Sequence, residues 1–138
     1  MEMTEGLVLA LLVALSGLHV YWGLGGVWPG HDPRSLACLV VGGAEDGRLP
    51  TPLACFGVAV ALLLAAAALH FAAAGGAFGG LARVAAFGVA GVFLLRGALG
   101  YVLPALTHTG KAFDRLNRLI YSPLCLVLGG LALALLLG

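Results

Sequence analysis

Charge is what this chain lacks most. Asp, Glu, Lys and Arg make up 9% of its 138 residues, where a soluble domain carries about 25%. So few charges cannot cover a water-facing surface. The formal net charge of +1, with no basic stripe interleaved with aromatics, excludes nucleic acid as a partner. The three cysteines (Cys38, Cys55, Cys125) form no C-x-x-C pair and no even disulfide framework. His31 and His108 fall in loops, with no metal-ligand spacing to each other or to a cysteine, so no metal site is expected. H-E-x-x-H, a phosphate-binding glycine loop and G-x-S-x-G are all missing, so the sequence assigns no catalytic residue and no cofactor.

What is present is apolar length. Hydrophobic residues make up 62% of the chain, gathered in four stretches at about 7–27, 53–74, 81–106 and 119–138. Each reaches or approaches the roughly 20 residues that cross a bilayer's hydrocarbon as a helix, and helix is the form that satisfies every backbone group there. The expected fold is all-α: an integral membrane four-helix bundle, one domain over residues 1–138. The acidic start, Met1-Glu2-Met3-Thr4-Glu5, lacks the basic region of a signal peptide and reads as part of a retained anchor. Arg34 and Arg48 in the first connection and Lys111, Arg115 and Arg118 in the third lie on one side, against Arg83 on the other. That asymmetry places the first and third connections in the cytoplasm and both termini outside, as in a bacterial inner membrane.

The connections differ in kind. Gly75-Gly76-Ala77-Phe78-Gly79-Gly80 is a tight turn, which makes the second and third spans antiparallel neighbours. The first connection is about 25 residues, long enough to suggest a role of its own, and its apolar piece, residues 36–41, should pack on the bundle or lie at the membrane interface. Thr51-Pro52 and Ser122-Pro123 resemble helix starts, a hydroxyl cap followed by proline. If the fourth helix begins instead near Asn117, Pro123 falls inside it and should kink it. Many glycines, among them Gly97, Gly100 and Gly129, let helix backbones approach closely in lipid, within the bundle or at a homo-oligomer seam.

No expected span contains Asp or Glu. That argues against an aspartic protease, a carboxylate proton relay and a cation channel, and it isolates Arg96. A guanidinium stays charged at any accessible pH. Near mid-bilayer it is unfavourable by roughly 2.5–3.5 kcal/mol on insertion scales. Three resolutions stand open: the long stem lifts the charge to the interface, Asp114 pairs with it, or it holds an anionic ligand. At about 1.5 Å per residue, His19, Arg96 and Cys125 share one leaflet, the expected cytoplasmic one, with Tyr21, Trp22, Tyr101 and Tyr121 nearer its surface. His70 lies toward the other surface, about 10 Å or more from His19 in depth, which disfavours a His19–His70 haem pair. Cys55 and Cys125 read as small apolar fillers.

His19-x-Tyr21-Trp22-x-x-Gly25-Gly26 and Trp28, with Arg96 and the run Tyr121-Ser122-Pro123-Leu124-Cys125-Leu126, resemble a family of small bacterial four-helix membrane proteins known as domain of unknown function 3995. The resemblance spans most of the chain and implies four spans but no activity. The first expectation for function is therefore a polar site in the cytoplasmic half of the bilayer for a small anionic or amphipathic ligand: a lipid headgroup, a quinone-like ring or an organic acid. His19, Trp22, Arg96, Tyr101 and Tyr121 would line it, with Arg96 as the anion clamp and Asp114 as its ion-pair partner. Two other expectations stand beside it, an oligomeric anion or small-molecule transporter and an accessory membrane subunit with no site of its own.

Overall fold

The computed structural model describes residues 2–42, 48–106 and 110–138, and among them there is no strand. The helices are α1 (Glu2–Gly23), α2 (Pro33–Val40), α3 (Pro52–Ala74), α4 (Gly79–Leu106), α5 (Lys111–Leu116) and α6 (Ser122–Leu137), with a π-helical turn at Asn117–Tyr121 joining the last two. Four helical runs are long and apolar enough to cross a bilayer: α1, α3, α4 and the continuous run Lys111–Leu137. They pack as a ring, α1 on α3, α3 on α4, α4 on α6 and α6 back on α1. His108 lies outside the described residues.

Span limits shift from those expected. The first helix begins at Glu2 rather than near residue 7, because acidic side chains favour the electropositive start of a helix. Glu5 also accepts a hydrogen bond from His70 Nδ1 of α3 at 2.9 Å. That helix ends at Gly23 rather than 27, where Gly25 takes φ +96° and the Gly26 N–H folds back onto the Tyr21 carbonyl. The last span begins at Lys111 rather than 119, so Pro123 is an interior proline. The π turn lies immediately before it: the Ser122 N–H reaches the Asn117 carbonyl five residues back, one of the ways a helix absorbs a proline. Thr51-Pro52 does start a helix, with Thr51 Oγ1 accepting the Ala54 N–H at 3.2 Å.

Within the first connection, residues 36–40 form part of helix α2 and Val41 is its C-cap. Asp32 caps it, accepting the Ser35 N–H at 2.7 Å while Ser35 Oγ takes the Asp32 N–H, a capping box. That backbone hydrogen bond from Ser35 holds the Asp32 carboxyl below its usual range. Leu36 and Ala37 are buried. Helix α2 packs on α5, so the first connection meets the start of the last span at one end of the bundle.

The core is made of small side chains. Ala65, Ala66, Ala86, Ala90 and Ala132 surround Leu12, Leu69 and Leu128, while larger residues such as Leu64, Val92 and Leu95 face outward. Lipid is as apolar as leucine, so contact distance rather than burial from water holds these helices together. The seam between α4 and α6 is close. A Cβ on Gly97 would stand 2.6 Å from Leu126 Cγ and 3.0 Å from its backbone nitrogen, and one on Gly129 would meet Leu94 in the same way. At the far end of this seam Arg83 donates to the Leu136 carbonyl near the end of α6.

Gly97→Val should therefore destabilise the protein by about 1–3 kcal/mol through overpacking. A lowered thermal midpoint in detergent micelles would show it. Gly88→Ala, where an added Cβ meets nothing within 4 Å, should leave that midpoint unchanged or slightly raised.

Candidate functional site

Two interior prolines organise the polar residues. In a regular helix the carbonyl of residue i accepts the N–H of residue i+4. Gly100 is four residues before Pro104, which has no N–H to give, so proline leaves the Gly100 carbonyl without its helical donor. Asn117 Nδ2 supplies the replacement from the facing helix, at 2.6 Å. Arg118 meets the same problem in the π turn. Its α-type donor, the Ser122 N–H, is taken by the Asn117 carbonyl, and its π-type donor would be Pro123. The Tyr101 hydroxyl of α4 donates to the Arg118 carbonyl instead, at 3.2 Å. Each helix thus repairs the carbonyl that proline vacates in the other, which matters in a medium with no water to do so.

Asn117 is the hub of this exchange and is 1% exposed. Its amide oxygen accepts from Ser122 Oγ at 3.2 Å and from Arg96 Nη2 at 3.2 Å. In an α-helix residues five apart point about 140° away from each other, so the π turn is what brings Asn117 and Ser122 to one side. Gly100 makes the approach feasible: a Cβ there would lie 1.8 Å from Ser122 Oγ and 2.9 Å from Arg96 Nη1.

Arg96 Nη2 donates to a neutral amide oxygen, that of Asn117; pairing with Asp114 was one of three resolutions that the sequence left open. An ion pair joins Glu5 and His70. Asp114 lies three residues before Asn117, about one turn nearer the surface, and Asn117 occupies the level that the guanidinium reaches. Arg96 itself stays exposed on the flank of the bundle, beside exposed Leu95 and Leu99.

The five expected ligand-binding residues fall into two groups. Arg96 and Tyr101 belong to the α4–π-turn node. Tyr121 flanks it and donates its hydroxyl to the Leu39 carbonyl in the last turn of α2 at 3.0 Å, with its ring 6.0 Å from that of Phe113. His19 and Trp22 stand on α1, which packs on α3 and α6. They line a separate cavity of about 140 Å³, bounded also by Val40 and Val41 at the end of α2 and by Cys55 and Val58 of α3. His19 Nδ1 bonds the Leu15 carbonyl at 2.8 Å, and Trp22 Nε1 donates to the Trp28 carbonyl at 2.8 Å. No group of three or more His, Cys, Asp or Glu residues suited to a metal occurs among the described residues. Sequence reasoning passed over Asn117 as a site residue. The available signal was the pair of prolines, each leaving a backbone acceptor to be satisfied from elsewhere.

The fold defines an integral membrane protein of four helical spans. The chain belongs to the family described as protein of unknown function (DUF3995), whose profile matches residues 12–132. No curated protein and no solved structure matches it.

Asn117→Leu should destabilise the protein by about 1–3 kcal/mol, because it strands the Gly100 carbonyl and two donors. Pro104→Ala returns an N–H to Gly100. In that background the same Asn117 substitution should cost measurably less, and a double-mutant cycle on thermal midpoints in micelles reads the difference.

Proposed function

We propose that this protein binds an anionic amphiphile, with Arg96 clamping its headgroup in the half of the bilayer where the first and third connections lie. The observation that carries this reading is the partner of Arg96. A permanent cation within a span meets an uncharged amide and remains exposed on the bundle flank. Asn117 uses one of five guanidinium donors and offsets none of the charge. A phosphate or carboxylate accepts two such donors in a fork and neutralises the charge at once. A phospholipid brings the anion to that place with its acyl chains in register, because exposed Val92, Leu95, Leu99 and Leu103 offer an apolar flank on the same helix.

Electrostatics favours the same half of the membrane. Lys111, Arg115 and Arg118 are exposed around α5 and the π turn. With the first and third connections cytoplasmic, as the Lys and Arg asymmetry suggests, these residues attract the anionic lipids of a bacterial inner leaflet. Arg96 would then fix one of them at depth.

Native mass spectrometry in mixed micelles tests the reading. Wild-type protein should retain phosphatidylglycerol over phosphatidylcholine and gain thermal stability from the former alone. Arg96→Leu should lose both effects, while Arg96→Lys, a point charge without the planar fork, keeps a weakened preference. An unchanged preference for phosphatidylglycerol in Arg96→Leu would sink the proposal.

A further inference from the structure

The cavity beside His19 lies apart from the Arg96 node and has a chemistry of its own. We infer that it is a binding site for a small, neutral, hydroxyl-bearing ring of the phenol class, whose O–H is donated to His19 Nε2.

The inference starts from the tautomer. The Leu15 carbonyl oxygen 2.8 Å from Nδ1 can only accept, so in the neutral ring Nδ1 carries the proton. Nε2, on the far edge of the ring, then presents a lone pair and has no partner among the described residues. Trp22 stands edge-on to the imidazole, ring centroids 5.1 Å apart and planes at 68°. Its indole N–H is already spent on the Trp28 carbonyl, so it offers the cavity carbon surface and no competing donor. The remaining walls are apolar, with Val41, Pro50, Cys55 and Val58 among them.

Size and polarity together select the ligand. About 140 Å³ is close to the roughly 150 Å³ of an engineered protein cavity that takes benzene. One unpaired side-chain acceptor among apolar side chains calls for one donor on an otherwise apolar guest. A carboxylate, an acceptor with no proton to give, would set its charge against the Nε2 lone pair. A hydrocarbon would leave that lone pair unsatisfied. A phenolic or hydroquinone hydroxyl meets both conditions, with its ring against Trp22.

Cys55 reports occupancy, because it lines the cavity and is buried. In Cys38→Ser, Cys125→Ala protein it is the sole thiol. Its labelling by a small methanethiosulfonate reagent is followed with phenol or with toluene, each matched for its concentration in the micelle phase. Phenol should slow labelling and act about fivefold more potently than toluene, the advantage of one net hydrogen bond. In His19→Phe that ratio should fall to about one. Equal protection by phenol and toluene in protein that retains His19 overturns the inference without recourse to the His19 variant. So does labelling that neither compound alters, or a phenol preference that survives in folded His19→Phe. Phosphatidylglycerol retention, read on the same samples, should not respond to His19→Phe, which separates this site from that of Arg96.

Discussion

A backbone carbonyl without a donor is a minor matter in water and a serious one in lipid. The connection-side half of this bundle is built around that constraint. Pro104 and Pro123 each remove an N–H from a membrane helix, and the two helices that carry them lie side by side. Asn117 completes Gly100, and Tyr101 completes Arg118. The exchange fixes the register of α4 against the last span. It also explains why a polar asparagine can be buried there at no cost in unsatisfied groups: each polar atom of its amide is used. Gly100 and the π turn are geometric conditions of the same exchange, one opening space and the other turning two side chains the same way.

Arg96 depends on this node for position and not for charge. Once Asn117 is committed to Gly100, its oxygen is oriented toward Ser122 and Arg96, and the guanidinium is drawn to a defined place on the flank of the bundle. A carboxylate in the position of Asn117 would neutralise Arg96 but could not donate to Gly100. The chain thus carries a group that repairs the backbone and leaves the cation available. A lipid-embedded anion is the natural counterpart for a cation so placed, and the apolar faces on either side suit its tails.

The other polar residues divide by a similar logic. Ser16 donates to the Ala59 carbonyl, Trp22 to Trp28, and Tyr121 to the end of α2, so each hydroxyl or N–H closes a local or interhelical contact. His19 is different, because an imidazole has two nitrogens and only one is engaged. A partly used side chain beside an apolar cavity has chemistry left over, and Arg96, on the flank of the bundle, likewise keeps donors to spare. Both lie toward the end of the bundle where α2 folds down onto α5.

The four spans and their helical form were legible in the sequence, because lipid admits few alternatives for apolar runs of that length. So were the Thr51-Pro52 start and the glycine turn that follows Ala74. The span limits at Glu2 and Lys111 were not, since hydropathy marks where lipid is tolerated and a helix continues for as long as its own hydrogen bonds do. The placement of His19, Trp22, Arg96, Tyr101 and Tyr121 toward one end of the bundle could be read from position along each helix. Their division between two sites could not, because depth says nothing of which helices are neighbours. The meeting of Asn117 with Arg96 was equally hidden, for it depends on a single π turn that rotates one side chain inward. Composition and helical rise thus settled which runs are long and apolar enough to cross a membrane and where along them each residue lies. Helix order in the ring and the rotation of one helix at a proline, both products of packing between distant segments, decided which residues meet.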